Sequence, residues 1–371
     1  MNPELFIGMI SGTSRDGADV VLVRFEHDRP EILAADCIPY APALARALQK
    51  LIETGTRPPA EDMKHLDRLL ADHFARSAQS LLNRNGIDAG VVSAIGSHGQ
   101  TVWHDPDSAE PETIQLGDPA RIAAQTGITT VGDFRRADME AGGQGAPLAP
   151  LLHHALFQQA PESGQTTRIV INLGGIANIS VIESSGSISG FDTGPANCLM
   201  DGWIQARCKE PFDRGGRWAA SGHASADLLE CLLADPYFTK QPPKSTGVEY
   251  FNSAWLDSRL RQSDIDPADV QATLAELTAV SLANSILPFA PGDVLVCGGG
   301  THNEYLLQRL QAHLPDIPVA STTFLGLDPD WIEGILFAWL ARERLAHRLQ
   351  HTWSITGAKE PVLLGKIFRH G

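Results

Sequence analysis

The sequence predicts an α/β protein of two lobes, mixed sheets flanked by helices with a central cleft. Three observations predict it. Short β-rich runs alternate with helical stretches along the whole chain. Three of those runs break on glycine-bearing turns spread between Gly12 and Gly300. And 371 residues with 43% hydrophobic content can fill more than one core.

Composition narrows the function classes. A formal net charge of −15 argues against nucleic acid or an anionic membrane as partner, since each needs a clustered basic surface. Five cysteines (Cys37, Cys198, Cys208, Cys231, Cys297) are odd in number, irregularly spaced and without a Cys-x-x-Cys, so neither a disulfide framework nor a zinc site is expected. The first residues lack a charged-then-apolar signal pattern, and no run of about 18 apolar residues occurs, so a cytoplasmic location is expected.

An apolar strand over 6–11 leads into Gly12-Thr13-Ser14-Arg15-Asp16-Gly17-Ala18-Asp19, and a second strand follows over 20–25. Gly12 and Gly17 admit an anion close to the backbone, and Thr13 and Ser14 offer hydroxyls and N–H donors to phosphate oxygens. The same composition also suits any tight hairpin. Strand character resumes near Asp36, and 43–54 and 59–85 read as helices with Leu and Ala at helical spacing. Residues 91–96 read as a buried strand, with 98–105 as the loop leaving its end, where open α/β sheets place their ligands. A short strand over 128–132 delivers Asp133 and Arg135 in the same way. The lobe boundary is placed after it, because 137–145 is small, polar and glycine-rich and a helix starts over 149–157. The first lobe then takes 1–138 and 356–371, and the second 139–355.

In the second lobe a strand over 168–173, ending on Asn172 and Leu173, breaks at Gly174-Gly175 and resumes over 176–182. A strand over 187–191 delivers Asp192, and a helix is expected over 196–206. An aspartate in that position can act chemically, or it can merely cap the helix or make an Asx turn. A strand over 293–297 is followed by Gly298-Gly299-Gly300 and a helix over 304–314, whose N–H groups and macrodipole favour a phosphate or a nucleotide's polar edge. Further helices are expected over 268–287 and 330–348, and a final strand over 362–365 returns to the first lobe. No Gly-x-x-x-x-Gly-Lys-Ser/Thr occurs, and no Gly-x-Gly-x-x-Gly joins a strand to a helix. His153 and His154 show no metal-ligand spacing.

The three turns resemble the phosphate 1, phosphate 2 and adenosine motifs of the sugar kinase, Hsp70 and actin superfamily, which implies an actin-like ATPase (ribonuclease H-like) fold. A closer resemblance lies in several ordered blocks: Gly12-Thr13-Ser14 with Asp16-Gly17, Gly96-Ser97-His98-Gly99-Gln100-Thr101 with Trp103-His104, Gln115-Leu116-Gly117-Asp118 and Gly132-Asp133-Phe134-Arg135. Further along come Gly142-Gly143-Gln144-Gly145-Ala146-Pro147-Leu148, Asn172-Leu173-Gly174-Gly175-Ile176-Ala177-Asn178, Phe191-Asp192-Thr193-Gly194-Pro195-Ala196-Asn197 and Pro243-Lys244-Ser245-Thr246-Gly247. From residue 6 to about 366 the chain is similar to the anhydro-N-acetylmuramic acid kinase family. Three departures stand out, one of them Arg15, where the family more often has Met or Leu. Ile10 occupies the place where the wider superfamily carries an aspartate, leaving Asp16 and Asp19 as the nearest carboxylates, and Val248 stands where the family more often has Arg.

The resemblance implies ATP and Mg2+ as cofactors, with the magnesium ligands unassigned, an anhydro amino sugar as substrate, and a homodimer. It places the nucleotide on Gly12, Thr13, Ser14, Arg15, Asp16, Gly17, Ala18, Asp19, Asn172, Gly174, Gly175, Gly298, Gly299 and Gly300. It makes Asp192 the catalytic base and gives the sugar to His98, Gln100, Asp133 and Arg135. Arg135 suits bidentate contact with a lactyl carboxylate, or else a structural ion pair with Asp133. His98 and Gln100 suit sugar hydroxyls or an acetamido group, although a lone histidine is often a satisfied core residue. Lys244, Ser245 and Thr246 suit a phosphate or a plain turn. An ordinary sugar kinase acting on a free hydroxyl, and an actin- or Hsp70-like ATPase, are the competing readings.

Overall fold

The computed structural model describes residues 4–12, 17–26, 29–53, 56–158, 166–260 and 265–370. Two compact units emerge, Met1–Leu156 with Trp331–Gly371, and Phe157–Asp330.

The first unit holds strands β1 (Glu4–Ser11), β2 (Gly17–Glu26), β3 (Arg29–Pro39), β4 (Val92–Asp105), β5 (Glu112–Leu116) and β6 (Thr130–Gly132), closed by the strand Lys366–Phe368. The sheet runs closing strand, β6, β4, β1, β2, β3, with β5 paired to β4 off this path. β1, β2 and β3 form an antiparallel meander, and β4 and β6 continue it in parallel. Alternation along β2 sends Ala18, Val20 and Leu22 into a core with Leu66, Leu70 and Phe74 of the helix Ala60–Arg84. The opposite face receives the helix Ile332–Leu345 at very close range. A Cβ on Gly8 would stand 1.8 Å from the Gly334 carbonyl oxygen, and one on Gly96 1.9 Å from that of Phe337, so only glycine admits this helix onto the strands.

That packing corrects the lobe boundary. The helix Ile332–Leu345 and the stretch 139–156, assigned by sequence to the second lobe, belong to the first compact unit. A second tie explains it. The carboxylate of Asp138, fully buried, accepts from Thr352 Oγ1 at 2.5 Å, Thr356 Oγ1 at 2.7 Å and the Gly145 N–H at 2.7 Å. Such long-range bonds override a boundary drawn from local glycine content.

The second unit holds β7 (Arg168–Leu173), β8 (Ile176–Ile182), β9 (Ile188–Pro195), β10 (Asp293–Cys297) and β11 (Val319–Ser321), in the order β11, β10, β7, β8, β9. Again an antiparallel meander is extended by parallel strands. Each unit thus sets its third, second, first and fourth strands side by side and adds one further parallel strand beyond the fourth, β6 in the first unit and β11 in the second, the ribonuclease H-like arrangement that the resemblance implies. The helix Pro267–Ile286 is long and apolar enough to cross a membrane by composition, but it is mostly buried, and Leu274, Leu277 and Leu282 join Ile169, Ile171 and Ile179 in the core.

Two other expectations are corrected. Residues 98–105 are no loop but the continuation of β4, which pairs first with β1 in parallel and then with β5 antiparallel. Gly99 makes the irregularity possible, with φ of 76° and a would-be Cβ 2.3 Å from the Leu116 carbonyl oxygen. The final strand lies at Lys366–Phe368 against β6, whereas Val362 makes only an isolated bridge with Gln350.

Candidate active site

In the first unit the glycine hairpin joins β1 to β2. Gly12 ends its first arm, and Thr13, Ser14, Arg15 and Asp16 lie outside the described residues. Gly17 opens β2 with its would-be Cβ 2.6 Å from the Ile38 carbonyl oxygen, so packing against β3 already demands glycine there. Ala18 is buried, and Asp19 is half-buried opposite Ile10 and Cys37.

Gln100 is buried, and its amide is bound on both sides. Its Oε1 accepts from Ser11 Oγ at 2.6 Å, and its Nε2 donates to the Thr101 carbonyl at 3.1 Å. Gln100 thereby ties β4 to the arm of β1 that leads into the hairpin.

His98 and Arg135 meet directly. Arg135 Nε donates to His98 Nε2 at 3.0 Å, while His98 Nδ1 lies 3.2 Å from the Gly99 carbonyl oxygen. Since Nε2 must accept, the ring proton sits on Nδ1 and is donated to Gly99. Burial, and then the neighbouring Arg135, push the imidazole well below its ordinary value, so the ring is neutral as this bond requires. Phe337 lies beneath, with ring centroids 4.6 Å from His98 and 5.4 Å from Phe134. Arg135 Nη1 also reaches the Gly145 carbonyl at 3.4 Å. A second histidine, the half-buried His104, is pushed down to about 3 by desolvation and by Arg135.

Asp133 is not the partner of Arg135. It has a φ of 54°, and its carboxylate accepts from Arg136 Nε at 3.0 Å and Lys366 Nζ at 2.8 Å. Asp133 therefore anchors the closing strand next to β6. The left-handed turn at Asp133 directs the chain toward Arg135, a strained conformation of the kind found beside working sites.

In the second unit Asp192 lies within β9, which runs four residues further than the strand expected over 187–191. The register shifts there: Ala177 pairs with Gly194 but Asn178 with Asp192, so Thr193 is an extra residue. Such a bulge re-aims the side chain beside it. The following helix spans Asn197–Cys208 and has no side-chain cap, which removes the capping role for Asp192. Asp192 is only 9% exposed and is framed by the segment 237–246. Its Oδ2 accepts from the Thr246 N–H at 3.0 Å, its N–H donates to the Lys244 carbonyl at 3.1 Å, and its carbonyl accepts from the Tyr237 hydroxyl at 2.8 Å. Burial and the Asp192 charge push the Tyr237 phenol up, which keeps it a donor. The Lys244 ammonium lies 4.9 Å from the Tyr237 ring centroid; burial lowers its proton affinity and Asp192 opposes that shift.

The glycine turns of this unit hold one another. Gly174 and Gly175 turn β7 into β8, and their carbonyls accept from the N–H groups of Ala196, Asn197 and Cys198. Asn197 Nδ2 adds bonds to the Leu173 carbonyl at 3.0 Å and the Gly174 carbonyl at 2.9 Å. Gly298 has a φ of 83° and a would-be Cβ 2.5 Å from Asn172 Oδ1, so the turn after β10 rests against the end of β7. A Cβ on Gly300 would press on Leu173, whereas one on Gly299 would meet nothing within 4 Å. The helix Glu304–His313 is capped by the chain itself, Asn303 Oδ1 accepting from the Leu306 N–H at 3.0 Å. Its first N–H groups are thus partly spent before any anion arrives.

Sequence reasoning missed Tyr237 and Asp138. A hydroxyl aimed at a backbone carbonyl, and a carboxylate collecting donors from residues over two hundred positions away, leave no local signal. Thr246 was visible only as part of a glycine-ended block.

A family model of anhydro-N-acetylmuramic acid kinases matches residues 4–370. The anhydro-N-acetylmuramic acid kinase of Xanthomonas axonopodis pv. citri is 47% identical over 369 residues, covering 98% of each chain. That of Shewanella halifaxensis is 44% identical over 370 residues, covering 99% of each. Among solved structures, the activator of the 2-hydroxyisocaproyl-CoA dehydratase from Clostridium difficile aligns with 94% of this chain and 98% of its own, at a TM-score of 0.45 and 10% identity. With likeness at this level along almost every residue of both curated relatives, the chain belongs to the anhydro-N-acetylmuramic acid kinase family.

Proposed function

We propose that this protein is an ATP-dependent kinase that opens 1,6-anhydro-N-acetylmuramic acid with water and phosphorylates O6, giving N-acetylmuramic acid 6-phosphate for cell-wall recycling. A 1,6-anhydro sugar has no free 6-hydroxyl. Water must therefore attack C1, the C1–O6 bond breaks with its electron pair going to O6, and O6 takes the γ-phosphoryl group as ADP leaves. Asp192 accepts the proton of the attacking water, as the base does in inverting glycosidases. The released O6 needs no base of its own.

The observation that carries this reading is the frame around Asp192. A buried carboxylate beside a bulge, with one oxygen bound by a backbone N–H, is oriented yet able to take a proton. Arg135 is assigned to the lactyl carboxylate through its terminal nitrogens, since Nε is committed to His98. Gly12 through Asp19, Asn172, Gly174, Gly175 and Gly298 through Gly300 are assigned to ATP. No group of three or more His, Cys, Asp or Glu side chains gathers to hold a metal among the described residues. That suits a magnesium ion carried on the phosphates, which keeps several waters and takes few protein ligands. Asp19 is the described carboxylate of the hairpin assigned to those waters. When bound, Mg2+ neutralises charge on the phosphate oxygens. Because the co-substrate is ATP, we place the reaction in the cytoplasm.

The test is incubation of the purified protein with MgATP and the anhydro sugar, read by mass spectrometry. A product that has gained both one water and one phosphoryl group is expected. Phosphate appearing only on sugars with a free hydroxyl would favour an ordinary sugar kinase.

A further inference from the structure

We infer that His98 is a positioning residue that selects for substrates bearing a carboxylate, by fixing which edge of the Arg135 guanidinium is presented. The inference rests on the assignment of Arg135 to the lactyl group. Both ring nitrogens of His98 are engaged by the protein, Nδ1 toward the Gly99 carbonyl at 3.2 Å and Nε2 by Arg135 Nε at 3.0 Å, so the ring is occupied as a brace rather than presented to a sugar hydroxyl. It is 6% exposed and lies on Phe337, which fixes its plane.

A guanidinium can meet a carboxylate side-on, through Nε and one Nη, or end-on through both Nη atoms. His98 takes Nε, which excludes the side-on mode. The Gly145 carbonyl, 3.4 Å from Nη1, gives a second point of attachment and fixes rotation about the first. Gly145 is itself held, its N–H donating to the buried Asp138 at 2.7 Å. The brace therefore runs from Asp138 through Gly145 to Arg135 and on through His98 to Gly99. It orients a flexible cation before a ligand arrives, which lowers the ordering cost of binding. Lys in place of Arg135 could not reproduce it, since an ammonium has no planar fork.

The test compares kcat/KM for 1,6-anhydro-N-acetylmuramic acid with that for the same anhydro sugar lacking its lactyl ether. His98→Phe keeps the ring packing but removes the acceptor, and the preference for the lactyl sugar is expected to fall about tenfold, mainly through KM. His98→Gln, whose Oε1 can accept from Arg135 Nε, should recover most of it. His98→Phe added to Arg135→Ala should cost little further preference, since the two act as one unit. An unchanged ratio between the two sugars, or equal losses on both, would overturn the inference while leaving the function intact. Wild-type protein that does not process the anhydro sugar would instead remove the functional reading, and this one with it. Should His98→Phe not fold, 15N-histidine NMR of the full wild-type chain decides: an unprotonated Nε2 is expected, and a proton on Nε2 overturns the brace.

Discussion

Tyr237 donates its hydroxyl to the backbone carbonyl of Asp192 at 2.8 Å, while the Asp192 side chain turns the other way to accept from the Thr246 N–H. The carboxylate is thus fixed through its own main chain as well as through its oxygen. Positioning of this kind matters because proton transfer demands heavy-atom distances near about 3 Å.

Asp192→Asn removes the base and keeps the shape. Turnover should fall by about 10²- to 10⁴-fold, the usual contribution of a general base. Binding of ATP and of the sugar, followed by calorimetry, should be retained. An active variant would take Asp192 out of the mechanism.

Tyr237→Phe deletes only the hydroxyl. The Asp192 carbonyl loses its buried partner, which costs about 1 kcal/mol of stability in urea unfolding. Turnover should drop while the sugar KM holds. A variant with wild-type turnover would show that Thr246 and Lys244 suffice to hold Asp192.

Arg135→Ala should raise the sugar KM by roughly 10- to 100-fold, the range expected for hydrogen bonds to a charged group. Its effect on the ATP KM should be small. An unchanged sugar KM would count against the carboxylate contact.

Asp138→Ala leaves Thr352, Thr356 and the Gly145 N–H without their shared acceptor. A loss of about 3 kcal/mol or more is expected, because each buried donor left unpaired carries its own desolvation cost. The urea midpoint reads it, and weaker sugar binding should accompany it through Gly145. A variant as stable as wild type would show that the Ile332–Leu345 helix alone holds the C-terminal segment in place.

Acid should destabilise the fold through two desolvated histidines, His153 buried and His104 half-buried. His104 and His153 are each pushed down to about 3, His153 by burial and His104 by burial with Arg135. Between that value and about 6.5 the unfolded chain binds protons that the folded one refuses, so stability rises with pH in this window and is lost on acidification. From pH 7 to pH 5 the loss should be about 1 to 2 kcal/mol per histidine. His153→Gln should flatten the pH dependence of the urea midpoint; an equally steep curve would show that His153 is not responsible.

Much of this was legible in the sequence. Apolar runs ending on glycines located β1, β7 and β10, whereas the local sequence around Asp192 left a chemical role and a helix cap both open, and only the family resemblance singled it out as the base. What was not legible was set at a distance. The strand character of 98–105 depends on β5, which offers its backbone to the second half of β4. The unit boundary depends on Gly8 and Gly96, whose missing side chains admit a helix from the far end of the chain. The partners of Gln100 and Asp133 were equally invisible, because a sequence shows that a polar group is present, not that Ser11, Arg136 and Lys366 bond to it.

The coupled reaction is tested most directly with oxygen-18 water. Protein, MgATP and 1,6-anhydro-N-acetylmuramic acid are incubated in labelled water, and the product is fragmented before exchange at the anomeric centre. The account predicts one label at C1 and none in the bond between O6 and phosphorus. Label in the O6–phosphorus linkage, or a phosphorylated sugar with its anhydro bridge intact, would contradict it.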